Sequence, residues 1–241
     1  MNVVRFKQVE DLSEHLAEKL SEAIKLNPEI VLGLATGRTF IPVYRSLVNT
    51  IRDKEISVGK VVTFNLDEYV GVRPAHRSSF SFYMYEHLWS QLDFSEARTH
   101  IPSGTSVDLA GEGKSYEKKI QMAGGIDIQL LGLGLNGHIG FNEPGSSFAS
   151  ATRVVDLAPK TKEQNAQDFE NGSVPDRAMT MGLSTIMKSK QIYLVVTGKE
   201  KATILARSFE ERSEAVPASI LIDHPNCTVL ADEEAAALLK K

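Results

Sequence analysis

Cysteine is nearly absent from this chain: Cys227 stands alone, so no internal disulfide is available, and no cluster of Cys and His at metal-ligand spacing surrounds it. There is no basic excess either. The 27 Lys and Arg stand against 31 Asp and Glu, a net charge of −4, and they are scattered rather than massed, which leaves no nucleic-acid footprint. Long apolar runs are missing: none approaches the roughly 20 residues that span a bilayer. The N-terminal MNVVRFKQVEDL lacks the apolar core of a signal peptide. Together these absences predict a cytoplasmic protein whose partner is a small molecule, not a membrane or a nucleic acid. No internal repeat, low-complexity tract or Pro/Gly-rich linker divides the sequence. Its 241 residues are within the reach of one core, so residues 1–241 are expected to form a single domain. The composition, 42% apolar and 24% charged, excludes a fibrous or disordered chain.

Periodicity supplies the architecture. Leu12, Leu16, Leu20 and Ile24 recur among Glu, Lys and Ser, the pattern of an amphipathic helix ending near Asn27-Pro28. Short apolar runs at Ile30–Ala35, Val61–Leu66, Ile126–Leu133, Ile192–Thr197 and Thr228–Ala231 predict buried strands. Helical patterns fall near Pro42–Arg52, Ser79–Leu92, Leu109–Met122, Leu183–Lys188, Lys199–Glu211 and Glu233–Leu239. This alternation predicts an α/β fold: a doubly wound, mostly parallel sheet with helices on both faces, Rossmann-like. Gly134–Pro144 and Ala158–Asp176 read as long irregular stretches, and ligands of such sheets gather at strand C-termini.

Two motifs mislead. Gly132-Leu-Gly-Leu-Asn-Gly137 matches a dinucleotide fingerprint after a strand, but that fingerprint must open a helix, and the following His-Ile-Gly-Phe-Asn-Glu-Pro has no helical period. Gly113-Lys114-Ser115 resembles the end of a phosphate-binding loop, yet no strand precedes it, and it reads as a polar helix face.

Four clusters carry chemistry. Thr36-Gly37-Arg38-Thr39 lies between a strand and a helix, where backbone N–H groups and hydroxyls can hold a phosphate; the same residues equally fit an ordinary turn with Thr39 as helix cap. Asp67 and Glu68 follow a buried strand, where partial desolvation suits a carboxylate to act as a base near neutrality; capping of the next turn is the plainer reading. Asn136, His138, Asn142 and Glu143 crowd into an eleven-residue, glycine-rich loop, in which Glu143 or Asn136 can fix the tautomer of His138. No second imidazole stands at His-x-His or His-x-x-x-His spacing, so no metal is expected. Lys199 and Lys201 follow the strand ending at Thr197 and can reach toward an anion there.

Taken in order, LATGRT, TFNLDEYVG, HRSSFSFYM, GLGLNGHIGFNEPGSSFAS, VPDRAMTMG and VTGKEKA resemble the glucosamine-6-phosphate deaminases, also called isomerases, over nearly the whole chain. The resemblance implies conversion of glucosamine 6-phosphate and water to fructose 6-phosphate and ammonia, without a metal or organic cofactor. It implies Asp67 as the base that moves the C2 proton. Asn136, His138 and Glu143 become the ring-opening relay, and Thr36, Gly37, Arg38, Thr39 and Lys201 the phosphate site. It departs at Gln167, where the family usually carries an Arg on the phosphate, and at Asn136, where several members have Asp. The end at Lys241 falls short of the C-terminal extension of regulated members, which implies hyperbolic kinetics. Competing readings are a galactosamine-6-phosphate deaminase, a 6-phosphogluconolactonase, and a sugar-phosphate sensor domain. TFNLDEY favours an isomerase over a lactonase, and residues 1–28 hold no helix-turn-helix for a regulator.

Overall fold

The computed structural model describes residues 2–170 and 172–239; Lys241, where the sequence ends, lies outside them. Strands β1 (Asn2–Phe6), β2 (Val31–Leu34), β3 (Val62–Asn65), β5 (Thr99–His100), β6 (Ile128–Gly132), β9 (Gln191–Val196) and β10 (Cys227–Asp232) form a seven-stranded sheet in the order β1-β10-β9-β6-β2-β3-β5. Every neighbouring pair is parallel. A smaller antiparallel sheet, ordered β4-β8-β7, joins β4 (Asp67–Tyr69), β8 (Arg177–Thr180) and β7 (Arg153–Asp156). The expected doubly wound α/β fold is therefore present, with this small sheet added beside it.

Helices cover both faces of the large sheet. Register and alternation put Phe64, Gly33 and Gln129 on one face, where Tyr116 of α4 (Leu109–Met122) meets Phe64 edge-on with ring centroids 5.6 Å apart. Leu32, Leu34 and Gly132 occupy the other, where Phe40, the first residue of α2 (Phe40–Asp53), lies over Gly132. α1 (Val9–Leu26) packs beside α2 and buries Leu12, Leu16, Leu20 and Ile24, the stripe read from the sequence. Gly33 is required by packing: a Cβ there would stand 2.1 Å from Gln129 Oε1 on the adjoining strand.

The strand order reverses between β2 and β6. The chain runs outward from β2 to β3 in one direction and from β6 to β9 and β10 in the other, so the loops after β2 and β6 part and leave a crevice at their carboxyl ends.

Several expected boundaries move. The helix expected over Ser79–Leu92 stops as α3 (Phe80–His87), because Leu88 leaves helical dihedrals and turns into the core, and a 3₁₀ turn follows at Trp89–Gln91. Lys199–Lys201 form a 3₁₀ turn before α7 (Ala202–Arg207), and the expected helix over Glu233–Leu239 is a run of turns. Asp232 anchors the start of this run: its carboxylate accepts the Ala235 N–H at 2.7 Å and the Gly198 N–H at 2.8 Å. Leu183–Lys188 shortens to α6 (Leu183–Ile186). Ala158–Asp176 is not structureless: Pro159 opens α5 (Pro159–Asn165), and a 3₁₀ turn at Ala166–Asp168 follows.

Candidate active site

The crevice is a cleft of about 940 Å³, lined by the loop after β2, the start of β4, the loop after β6, the turn after β9, and α5 with its 3₁₀ extension. Its lining brings together Thr36, Gly37, Arg38 and Thr39 of the loop after β2, Asp67 of β4, His138 of the loop after β6, and Lys201 of the 3₁₀ turn after β9. Gly37 holds φ at +92°, and its carbonyl accepts hydrogen bonds from Phe40 N at 3.0 Å and Tyr83 Oη at 2.8 Å, so the loop is pinned at both ends of its turn. Thr39 makes no capping hydrogen bond with its side chain, which leaves its hydroxyl to a ligand at the N-terminus of α2.

Asp67 follows β3, as the sequence had suggested, and in addition opens β4, two residues beyond Asn65, opposite Thr180 of β8. It is 6% exposed. Burial first, and the neighbouring Glu68 second, push its carboxyl up to about 8. Glu68 points the other way. Its carboxylate accepts N–H bonds from Tyr69 at 2.9 Å, Phe80 at 3.1 Å and Ser81 at 3.0 Å, which ties β4 to the N-terminus of α3. Of the two acids, one is spent on the scaffold and the other faces the cleft.

The loop after β6 builds a polar chain. Asn136 Nδ2 donates to Glu143 Oε2 at 2.7 Å, while Asn136 Oδ1 lies 2.7 Å from His138 Nδ1 and accepts the His138 backbone N–H at 3.2 Å. Glu143 Oε2 is 3.6 Å from His138 Nδ1, so Asn136 is the direct partner of the imidazole and stands between it and the acid. An ionised carboxylate only accepts, which fixes the orientation of the Asn136 amide. Its oxygen then requires the proton on Nδ1 and leaves Nε2 as the lone-pair nitrogen. Burial opposes the charge on Glu143, but hydrogen bonds and charge from His138, with Thr161 and Asn136, outweigh it and hold the acid at about 2. Gly134 lets the ring lie against the backbone, since a Cβ there would fall 2.3 Å from it. Gly140, at φ +56°, brings the loop against Asp67, where a Cβ would stand 3.4 Å from Oδ2.

Asn142, in contrast, turns inward: Nδ2 donates to Ile139 O at 2.9 Å and Met181 O at 2.8 Å, and Oδ1 accepts from Arg153 at 2.9 Å. Lys201 donates to Leu133 O at 2.6 Å. Burial lowers its ammonium below the ordinary range; Glu200 pulls it back, while the charges of Arg38 and Lys160 add to the lowering.

The sequence reading missed the contribution of α5. Thr161 donates to Glu143 Oε1, Asn165 donates to Tyr69 Oη at 3.0 Å, and Glu163, Gln164 and Gln167 line the cleft. The sequence marked Ala158–Asp176 as a long stretch of the kind that forms lids or binding loops, and Ala158-Pro159 offers a proline at a helix start, but the polar residues that follow lack an apolar stripe, so the helix itself went unread. Gln167 is brought to the cleft but folds back to donate to Gln164 O at 2.9 Å. Arg177 sits exposed at the start of β8 and does not line the cleft. Gly132–Gly137 opens no helix, and Gly113–Ser115 lies inside α4, so both misleading motifs are discounted by the fold. No group of three or more His, Cys, Asp or Glu that could hold a metal ion occurs among the described residues, and no helix there is long and apolar enough to cross a membrane.

The profile of the family described as glucosamine-6-phosphate isomerases/6-phosphogluconolactonase matches residues 6–230. The chain belongs to this family. It is 46% identical over 241 residues to a glucosamine-6-phosphate deaminase of Geobacillus sp. (strain WCH70), spanning 99% of this chain and 96% of that one. Among solved structures, a monomeric glucosamine-6-phosphate deaminase matches with a TM-score of 0.96 at 43% identity, over 99% of this chain and 100% of the other. A 6-phosphogluconolactonase from Leishmania guyanensis, at 19% identity and a TM-score of 0.76 over 100% of this chain and 99% of its own, shares the fold. Residues of the stretches TFNLDEYVG and GLGLNGHIGFNEP thus line one cleft in this chain.

Proposed function

We propose that the chain converts glucosamine 6-phosphate and water to fructose 6-phosphate and ammonia by proton transfers between its own side chains and the sugar. The observation that carries this is that one cleft is lined both by the buried carboxyl of Asp67 and by the imidazole of His138, whose Nδ1 lies 2.7 Å from Asn136 Oδ1. The 46% identity to a named deaminase over nearly the full length supports it.

The 6-phosphate sits between Thr36–Thr39 and Lys201, where the N-terminus of α2 and the charges of Arg38 and Lys201 meet. Ring opening needs a proton taken from the anomeric hydroxyl and one delivered to the ring oxygen. His138 Nε2 takes the first, and the resulting imidazolium is stabilised by Glu143 through Asn136. Asn136 carries no titratable proton, so it orients and polarises rather than relays. Asp67, once ionised, removes the C2 proton while the aldehyde oxygen gains one, giving an enolamine; return of the proton from Asp67 to C1 and loss of one proton from nitrogen then leave the C2 imine. Water then adds to C2 and ammonia leaves. Burial raises the carboxyl of Asp67 and with it its basicity once ionised.

The test is ammonia release from glucosamine 6-phosphate, galactosamine 6-phosphate and both unphosphorylated amino sugars, with 6-phosphogluconolactone hydrolysis run beside them. Preference for the galacto epimer would change the substrate and keep the chemistry. Lactone hydrolysis without ammonia release would overturn the reading.

A further inference from the structure

We propose that Thr161 is a positioning residue that, through Glu143 and Asn136, sets the tautomer of His138. The consequence for turnover rests on the function proposed above; the consequence for the imidazole does not.

Thr161 is the buried residue of α5, 2% exposed. Its hydroxyl donates to Glu143 Oε1, while Asn136 donates to Oε2 at 2.7 Å and reaches His138 Nδ1 at 2.7 Å with its own oxygen. A continuous chain of hydrogen bonds therefore runs from α5 to the imidazole. Both oxygens of Glu143 are engaged, one from the loop after β6 and one from α5. The same short helix presents Glu163 and Gln164 to the cleft and fastens to Tyr69 through Asn165 at 3.0 Å. Tyr69 lies two residues from Asp67, so α5 is docked onto both halves of the site at once.

The mechanism of dependence is rotational. A carboxylate held at both oxygens cannot turn, and the amide donating to it cannot flip. If the hydroxyl is withdrawn, Glu143 keeps only the Asn136 donor, and its carboxylate can swing off that donor, leaving the amide without the acceptor that orients it. The Asn136 amide then has a second orientation, in which its NH₂ faces His138 Nδ1 and the imidazole proton moves to Nε2. That tautomer cannot accept a proton at Nε2. Thr161 thus sets the fraction of molecules whose His138 is competent, an effect on turnover rather than on ground-state binding.

Thr161→Val preserves shape and removes the donor; Thr161→Ser preserves the donor and removes a methyl. The side-chain ¹⁵N resonances of His138 report the tautomer directly, and steady-state ammonia release reports turnover. Expected is a single Nδ1–H tautomer in the unmodified protein and in Thr161→Ser, and a mixture in Thr161→Val. The Val variant should also lose kcat by about 10- to 100-fold, the scale on which outer partners of a histidine act, with KM within about twofold. If Thr161→Val does not fold, Thr161→Ala makes the same comparison. An unchanged tautomer with unchanged kcat in the donor-less variant overturns the proposal, as does a Ser variant impaired as much as Val, which would mark Thr161 as packing only. Absence of ammonia release from the unmodified protein would overturn the function proposed above, while the ¹⁵N comparison would still decide the role of Thr161.

Discussion

Asp67 and Glu68 are adjacent, similarly buried and chemically alike, yet the fold gives them opposite tasks. Glu68 accepts three backbone N–H groups and is consumed in holding α3, whereas Asp67 faces the cleft with its carboxyl raised to about 8. Asp67→Asn should therefore retain substrate binding and lose turnover by several orders of magnitude, because an amide cannot take the C2 proton. Solvent deuterium should fail to enter C1 of the product, and near-normal turnover in this variant would remove Asp67 from the reaction. In the unmodified protein the acid limb of kcat/KM should fall well above the usual carboxylate range, since the base is protonated below about 8 in the free protein. A limb near 4 would mean that burial does not control this acid. His138→Gln should slow cyclic substrate and spare an analogue already in the open form; equal losses on both would contradict ring opening as its task.

At the scale of elements, α5 is where the sequence was least legible. Its buried side is a threonine bonded to a carboxylate, not an apolar stripe, so the periodicity that exposed α1 had nothing to register. The three strands of the small sheet escaped for a related reason: β4 has only three residues, and its identity comes from pairing with β8, more than a hundred residues away. Five strands of the large sheet and the loops at its switch point were readable because buried parallel strands are continuous apolar runs and glycines mark their ends; the edge strands β1 and β5, only partly buried, and β5 just two residues long, were not read. Asn136 was read as one of two alternatives for orienting His138, and only geometry distinguishes them. Helix α5 and the 3₁₀ turn after it are expected to bear on phosphate affinity as well. Lys160, Gln164 and Gln167 recur at helical spacing; Gln164 and Gln167 line the cleft, and the Lys160 charge is felt at Lys201. Charged hydrogen bonds contribute about 1.5–3 kcal/mol against about 0.5–1.5 for neutral ones, so Gln167→Arg should lower KM for the phosphorylated sugar by up to about tenfold with kcat little changed. Lys160→Ala should raise KM, more at low than at high salt. If Gln167→Arg leaves KM unchanged while Lys160→Ala raises it, the charge on this helix is already supplied by Lys160.

At the scale of the whole molecule, keeping a base in the cleft works against folding. The sign follows from linkage. In the folded protein Asp67 stays protonated up to about 8, whereas in the unfolded chain it ionises near 4, so between those values the unfolded state binds fewer protons and stability falls as pH rises. Other groups tilt the total curve: Glu143, held at about 2, contributes in the opposite sense, with stability present above its unfolded value and lost as pH falls through it. The difference between the unmodified protein and Asp67→Asn isolates the one residue. Asn is neutral at every pH and similar in shape, so the variant should match the unmodified protein near pH 4 and become progressively more stable than it toward pH 8. One unit of pKa corresponds to about 1.4 kcal/mol, and a gap of at least that size at pH 8 is expected. Urea unfolding of both proteins across pH 4–8 measures it. A variant no more stable than its parent at pH 8 would show that Asp67 is not held as a neutral acid in the fold, and the same result would take away the raised base on which the proposed C2 proton transfer depends.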